Sequence, residues 1–142
     1  MNKLKVLALN LILFLIMGFT YYCLEILFDG DSHWSMFVLG GICGISIGLL
    51  NEFKLTWDMP LWQQILWGEV IVLPLEFITE CIVNIWLGLN VWDYSNLPFN
   101  ILGQVSLLFA LIFIPVIILA ILIDDYFRWF YLDGDKPKYK LF

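Results

Sequence analysis

The stretch that decides the fold is FNILGQVSLLFALIFIPVIILAILIDDYF, at residues 99–127. About 20 apolar residues are enough for an α-helix to cross the hydrocarbon core of a bilayer. Three more apolar stretches come before it, at residues 6–28, 34–50 and 61–87. Lipid offers no partner for an unpaired backbone N–H or C=O group, so each stretch is expected to be helical. We therefore predict an all-α, polytopic integral membrane protein with four transmembrane helices, forming a single domain over residues 1–142.

The composition of the chain supports lipid as its solvent. Of the 142 residues, 62% are apolar and 14% are charged, and the mean hydropathy is +0.90. Soluble domains are roughly 45–50% apolar and about 25% charged. The core of a 142-residue soluble domain is too small to bury so many apolar side chains, so a soluble domain is excluded. Nucleic-acid binding is excluded as well, because the basic tail at residues 129–142 has only three lysines.

The positive charges predict the orientation in the membrane. With a cytoplasmic amino terminus and four alternating helices, every Lys and Arg of the chain faces the cytoplasm. The two outer loops then contain acidic residues and His33, but no Lys or Arg. The positive-inside rule describes this distribution, so we expect both termini on the cytoplasmic side. The seven cations are Lys3, Lys5, Lys54, Arg128, Lys136, Lys138 and Lys140.

The second stretch carries glycines on one helical face. Gly40, Gly44 and Gly48 are four residues apart, so they align along a helix and let another backbone approach closely. The spacing predicts tight packing, either against another helix of the chain or against a second subunit. Because four helices barely enclose a path alone, we expect a homo-oligomer.

The third stretch carries three carboxyl groups and an amide along one face: Glu69, Glu76, Glu80 and Asn84. A charged group at the bilayer centre costs roughly 2.5–3.5 kcal/mol on insertion scales, so this face is expected to look inward. Pro74 lies between the first two glutamates and leaves the Val70 carbonyl without its helical donor. Carboxylate and carbonyl oxygens suit a hard cation or a proton relay.

Other polar residues are predicted to reach the same region from neighbouring helices. Glu25 lies near the outer end of the first stretch, and Asn100 and Gln104 lie near the outer start of the fourth. Together with the carboxyl stripe they would line an outward-facing polar chamber. The alternative is that each buried carboxyl is protonated and only bonds a neighbouring helix, an interaction often worth under ~1 kcal/mol in lipid.

Catalytic and metal sites are not expected. The three cysteines, Cys23, Cys43 and Cys81, lie inside apolar stretches, and their number and spacing fit neither a disulfide framework nor a zinc site. Glu25, His33 and Asp93 are the candidates for a lipid-modifying enzyme near the outer surface. They include no nucleophile–base pair, so we predict no enzymatic activity, no cofactor and no metal.

The third connection contains a compact motif made of Trp92, Asp93, Tyr94, Ser95, Pro98, Asn100 and Gly103. From composition it is an interfacial turn that precedes and caps the fourth helix. With its surroundings at residues 64–129, the motif resembles the signature of the ABC-transporter type IV (CmpB-like) family of bacterial membrane proteins. The chain differs from that pattern at Glu80, where a glycine is expected. The resemblance implies a multipass protein of the bacterial inner membrane with a permease-like role.

Two functions compete at this point. The first is a permease- or channel-like protein that moves a cation or cationic solute along the acidic stripe, with Glu76 as the central ligand or proton carrier. The second is a non-transporting membrane subunit or regulator that docks a partner protein in the bilayer. The sequence has no Walker A pattern, so an ATPase partner would be a separate chain.

Overall fold

The computed structural model describes residues 2–30, 32–51, 59–88, 96, 98–99, 101–102, 106–133 and 136–139. Four α-helices dominate this part of the chain: α1 (Lys3–Asp29), α2 (Trp34–Gly48), α3 (Leu61–Glu80) and α4 (Leu107–Leu132). A short 3-10 turn, Leu49–Asn51, follows α2, and a π-helical segment, Cys81–Trp86, continues α3. The predicted all-α class is confirmed.

The first two helices begin and end at capping residues. The Asn2 side chain accepts a hydrogen bond from the Leu4 amide at 3.0 Å, and Gly30 ends α1 with a φ of 78°. That conformation favours glycine, and it lets the Gly30 amide donate to the Ile26 carbonyl at 2.9 Å. The His33 side chain caps α2 by accepting from the Ser35 amide. The connection between α1 and α2 is therefore short, at residues 30–33.

The third helix changes its winding towards its carboxyl end. Pro74 lies inside α3, and the π-helical segment begins directly after Glu80. The wider winding is seen in the bond from the Leu87 amide to the Ile82 carbonyl, five residues back, at 2.9 Å. Short π-helical segments inside helices are frequent at functional sites.

The fourth helix starts later than its apolar stretch predicts. The predicted span began at Phe99, but Phe99 and Leu102 have positive φ angles of 55° and 53°, which a helix does not accept. The helix begins at Leu107, where the Ser106 side chain accepts from the Phe109 amide at 3.4 Å. It continues to Leu132 rather than ending at residue 127, so Arg128 and the first four residues of the predicted tail belong to α4.

Contacts between the helices give an antiparallel, up-and-down arrangement. Tyr21 on α1 meets Gly40 on α2, and one turn earlier on α1 Met17 meets Gly44. The Tyr21 and Phe113 rings join α1 to α4 with centroids 6.4 Å apart. Gly68 on α3 faces Ile117 on α4. The shared core consists of Met36, Leu39, Ile47, Val72, Phe113, Ile117 and Ile121.

The outer surface of the helices is apolar. Leu11 on α1 is 59% exposed and Leu111 on α4 is 57% exposed. α1 and α4 are long and apolar enough to cross a membrane, with mean hydropathies of 2.1 and 3.0 over their apolar windows. α2 is apolar but shorter, at 15 residues. The polar side chains of the bundle are therefore found mostly inside it.

Candidate functional site

One face of α3 is buried along its whole length. Every fourth residue from Gln64 to Asn84 is buried, and the stripe changes from neutral to acidic at its middle. Glu76 is 3% exposed and Glu80 is 1% exposed. The stripe consists of Gln64, Gly68, Val72, Glu76, Glu80 and Asn84.

The Tyr21 hydroxyl of α1 joins this stripe. It donates a hydrogen bond to Glu76 Oε1 at 2.6 Å, a length typical of a hydroxyl bound to a carboxylate. Glu25 and Glu80 lie close enough to the same hydroxyl to act on it electrostatically. We call Glu25, Glu76 and Glu80 the acidic cluster. It gathers carboxyls from two helices around one tyrosine in a low-dielectric interior.

Tyr21 and Glu25 continue the buried line of α1. Residues four apart share a helical face, and Leu9, Leu13 and Met17 on the same line are all buried. Gly40 of α2 leaves the space that the Tyr21 side chain occupies, because a side chain at that position would collide with it. The stripe on α1 thus changes from apolar to polar at the level of the acidic cluster.

Glu69 is outside the acidic cluster, although the sequence placed it on the same face. It is half-buried, and in the part of the chain that the structure describes neither of its carboxyl oxygens has a hydrogen-bond partner. Its position is one residue beyond Gly68, which occupies the buried line instead.

The glycine face of α2 is covered within the same chain. Gly40 and Gly44 lie against Tyr21 and Met17 of α1, and Gly48 lies against the Asp124 carboxylate of α4. Of the two packing partners left open by the sequence, the structure therefore contains the intramolecular one.

Several predicted residues lie outside the described part of the chain. They are the chamber residues Asn100 and Gln104, and the motif residues Trp92, Asp93, Tyr94, Ser95 and Gly103. Pro98 of the motif is described and lies in a turn. The other predicted chamber residues, Glu25, Glu80 and Asn84, are described and buried.

A second buried polar network, missed by sequence reasoning, lies at the opposite end of the bundle. Asp124 is fully buried, and its Oδ2 accepts from Arg128 Nε at 2.8 Å. A terminal nitrogen of the Arg128 guanidinium donates to Asn10 Oδ1 at 2.8 Å. We call Asn10, Asp124 and Arg128 the inner network. The signal for it was the i, i+4 spacing of opposite charges in an apolar helix.

The tail folds back onto α4. The Tyr139 hydroxyl donates to Asp125 Oδ2 at 2.9 Å, and Lys136 lies 5.8 Å from the centre of the Trp129 ring. Burial, with the Asp125 carboxylate next to it, raises the pKa of Tyr139 well above its usual value. The tail is thus held at the same end of the bundle as the inner network.

Metal-ligating side chains do not cluster among the residues described here: no three His, Cys, Asp or Glu side chains are placed to share an ion. The cysteines in the described ranges are free, with Cys43 buried and Cys23 and Cys81 half-buried.

Comparison with known proteins identifies the family. A family model with the description "Putative ABC-transporter type IV" matches residues 12–132. The chain belongs to this family. The matched range of the ABC-transporter type IV model contains the whole acidic cluster together with Asp124 and Arg128. No curated protein and no solved structure matches the chain.

Proposed function

We propose that this member of the ABC-transporter type IV family is a permease- or channel-like protein that moves a cation or cationic solute, with Glu76 at the centre of the path. One observation carries the proposal: carboxyl groups and a tyrosine are gathered in the interior of helices whose outer surface is apolar. Ionisable groups inside a membrane protein are costly, and they mark ion pathways and proton relays.

The proposed topology is four spans across a bacterial inner membrane, with both termini in the cytoplasm. α3 together with its π-helical continuation, Leu61–Trp86, is about 39 Å long, which exceeds the ~30 Å hydrocarbon core. α2 is about 22 Å long and packs against α1 over its glycines. Its shorter reach is compatible with a span that neighbouring helices shield from lipid.

The proposal is tested by reconstituting purified protein in liposomes and measuring cation and proton flux for the wild type, Glu76→Gln and Glu69→Gln. Both variants remove one negative charge from α3 and preserve side-chain size. We expect flux to disappear in Glu76→Gln and to survive in Glu69→Gln, because Glu69 lies outside the acidic cluster. Thermal unfolding in detergent checks that each variant is folded.

Absence of flux from folded wild-type protein would overturn the proposal. Equal loss in the two variants would also contradict a central role for Glu76. A separate protein recovered in stoichiometric amount after gentle solubilisation, together with no flux, would point to the competing function as a docking subunit. The predicted homo-oligomer is measured on the same samples from the mass of the protein in its detergent particle.

A further inference from the structure

Aromatic side chains surround the last two turns of α4. Five of the six residues at positions 126–131 are aromatic, and Phe130 is 74% exposed. Tyr126, Trp129 and Tyr131 are between 36% and 43% exposed. α4 is about 39 Å long, so a membrane-spanning α4 exceeds the ~30 Å hydrocarbon core and places these rings at the lipid–water interface.

The rings enclose a shallow groove, which we call the aromatic groove. Its volume is about 370 Å³, and its walls are Tyr126, Phe127, Trp129, Phe130 and Tyr131. Phe130 and Tyr131 meet edge to face with ring centroids 5.2 Å apart, and Tyr126 meets Trp129 in the same way at 6.0 Å. A volume of this order is typical of sites that hold a small molecule.

A lysine lies at the edge of the aromatic groove. Lys136 Nζ is 5.8 Å from the centre of the Trp129 ring, which forms one wall. An ammonium group has three donors, so its contact with the face of a ring leaves donors for an anion. The hydrogen bond from Tyr139 to Asp125 holds the tail against α4, and it therefore keeps Lys136 beside the groove.

The surface of this end of the bundle is positively charged. Within the described residues, the exposed charged side chains here are four lysines and one aspartate: Lys3, Lys5, Lys136, Lys138 and Asp133. Two other carboxyls lie near the groove, but both are engaged. Asp124 is buried against Arg128, and Asp125 accepts the hydrogen bond from Tyr139.

The opposite end of the bundle lacks this positive charge. Trp34 and Trp86 are 70% and 80% exposed there, but every Lys and Arg in the described ranges lies at the end with the aromatic groove. Aromatic rings alone suit the interface of any bilayer. Lysines next to them favour lipids with an anionic headgroup.

We propose that the aromatic groove binds an anionic phospholipid. The rings contact the glycerol and the first part of an acyl chain, and Lys136 binds the headgroup phosphate. Binding of lipid here is independent of transport, and it requires only that this end of α4 lies at a membrane surface.

The experiment titrates purified protein in an uncharged detergent with phosphatidylglycerol or with phosphatidylcholine. The rise of the unfolding temperature with lipid concentration gives an apparent Kd for each lipid. We expect the wild type to bind phosphatidylglycerol about fivefold more tightly, since one lysine near an anionic headgroup contributes ~1 kcal/mol. Lys136→Gln should abolish this preference. Phe130→Ala should weaken the binding of both lipids about fivefold, because it removes apolar contact.

Two matched variants separate the groove from its surroundings. Lys3→Gln removes an exposed lysine from the same end of the bundle, away from the groove. Phe19→Ala removes a ring of α1 that is 62% exposed and lies far from either end of that helix. Both variants should keep the wild-type affinities and the preference for phosphatidylglycerol.

Each other result overturns the proposal in a recognisable way. Equal affinities of the wild type for the two lipids would refute an anionic ligand. Equal loss of preference in Lys136→Gln and Lys3→Gln would show a diffuse attraction rather than a site. Wild-type affinities in Phe130→Ala would refute the rings as the contact surface.

The mass of the protein in its detergent particle tests a different occupant. A mass that halves in Phe130→Ala would mean that a second copy of the chain, and not a lipid, covers the groove. None of these measurements involves flux, so their failure would leave the proposed function untouched.

Discussion

The Tyr21 hydroxyl of α1 bonds directly to the acidic cluster by donating to Glu76 Oε1. Its ring packs between Gly40 of α2 and Phe113 of α4, which fixes the position from which it reaches Glu76. A buried carboxyl that loses its donor keeps the cost of burial without the compensating hydrogen bond. Tyr21 is therefore a structural link between helices that also holds the carboxyl at the centre of the proposed path.

Replacing Tyr21→Phe removes this hydroxyl and little else. We expect the free energy of unfolding to fall by about 1–3 kcal/mol, because Glu76 loses a hydrogen bond in the interior. We expect flux to fall about tenfold, the equivalent of ~1.4 kcal/mol on the barrier. Liposome flux and thermal unfolding measure the two effects. Tyr22→Phe, the same change at the neighbouring position, is the control, and equal effects in both variants would contradict the assignment.

The burial of individual carboxyls was predictable, but their partners were not. The cost of exposing charge to lipid is enough to turn Glu76 and Glu80 inward, and both are buried. Glu69 differs because a shift of one residue from the line of Gly68 moves a side chain to the edge of the buried face. The bond to Tyr21 depends on the rotation of α1 about its own axis, which the apolar sequence around Tyr21 does not specify.

α4 contains a buried ion pair. Asp124 and Arg128 are one turn apart, and the guanidinium reaches across to Asn10 of α1. Gly48 of α2 makes room for the Asp124 carboxylate, since any Cβ there would overlap it. Three helices thus meet at one ion pair. A glycine-spaced face and an apolar helix predicted close packing here, but not that a charge fills the gap.

Asp124→Asn tests the contribution of this ion pair to stability. Removing one partner leaves the Arg128 charge buried without its carboxylate, which costs about 3–5 kcal/mol. The neighbouring change Asp125→Asn affects a half-buried carboxyl that accepts a hydrogen bond from Tyr139 of the tail, and should cost less than ~1 kcal/mol. Thermal unfolding in detergent, followed by tryptophan fluorescence, compares the two. Similar losses of stability would show that the pair does not hold the helices together.

Helix ends show how far apolar patterning can be used. Residues 61–86 form one continuous helical rod, close to the predicted 61–87. The predicted start of the fourth helix at Phe99 is wrong because turn residues in the same apolar stretch look like helix residues on any hydropathy scale. The capping residue Ser106, followed by an uninterrupted apolar run, is the local signal that marks the true start.

At the level of the whole molecule, the tail closes the end of the bundle that contains the inner network. The Tyr139 hydroxyl binds Asp125, and its pKa is raised by burial and by that carboxylate. A group whose pKa is raised on folding adds stability that is complete below its unfolded pKa, about 10 for tyrosine, and is lost as the pH rises through the folded pKa. Docking of the tail should therefore be unaffected by pH between about 6 and 9.

Tyr139→Phe is expected to release the tail without disturbing the helices. Limited trypsin digestion at pH 8 should cut after Lys138 and Lys140 faster in this variant than in the wild type, while α4 stays intact. Tyr131→Phe, on the exposed side of α4, should leave the cleavage rate unchanged. An ultraviolet titration should show one late-ionising tyrosine fewer in Tyr139→Phe than in the wild type. Equal cleavage rates in the three proteins would contradict docking through this hydroxyl.

The proposed orientation rests on the distribution of charge alone, and it makes a prediction that is independent of flux. All seven Lys and Arg residues lie on one side if four spans alternate. A single cysteine is introduced by Asn2→Cys, His33→Cys or Lys138→Cys, each with Cys23, Cys43 and Cys81 replaced by alanine. In intact cells, a membrane-impermeant maleimide should label only the cysteine at position 33, and the other two should react after the membrane is opened.

The same labelling separates the possible failures. Opposite sides for positions 2 and 138 would mean an odd number of spans, which would exclude α2 or α3 as a complete span. Reaction of both terminal cysteines in intact cells would mean that the bundle is inverted. Lys3→Gln together with Lys5→Gln should not change the pattern, because five cations remain on the cytoplasmic side. Since the positive-inside rule counts cations near all helix ends, an inversion caused by these two changes alone would show that the first helix dominates the orientation.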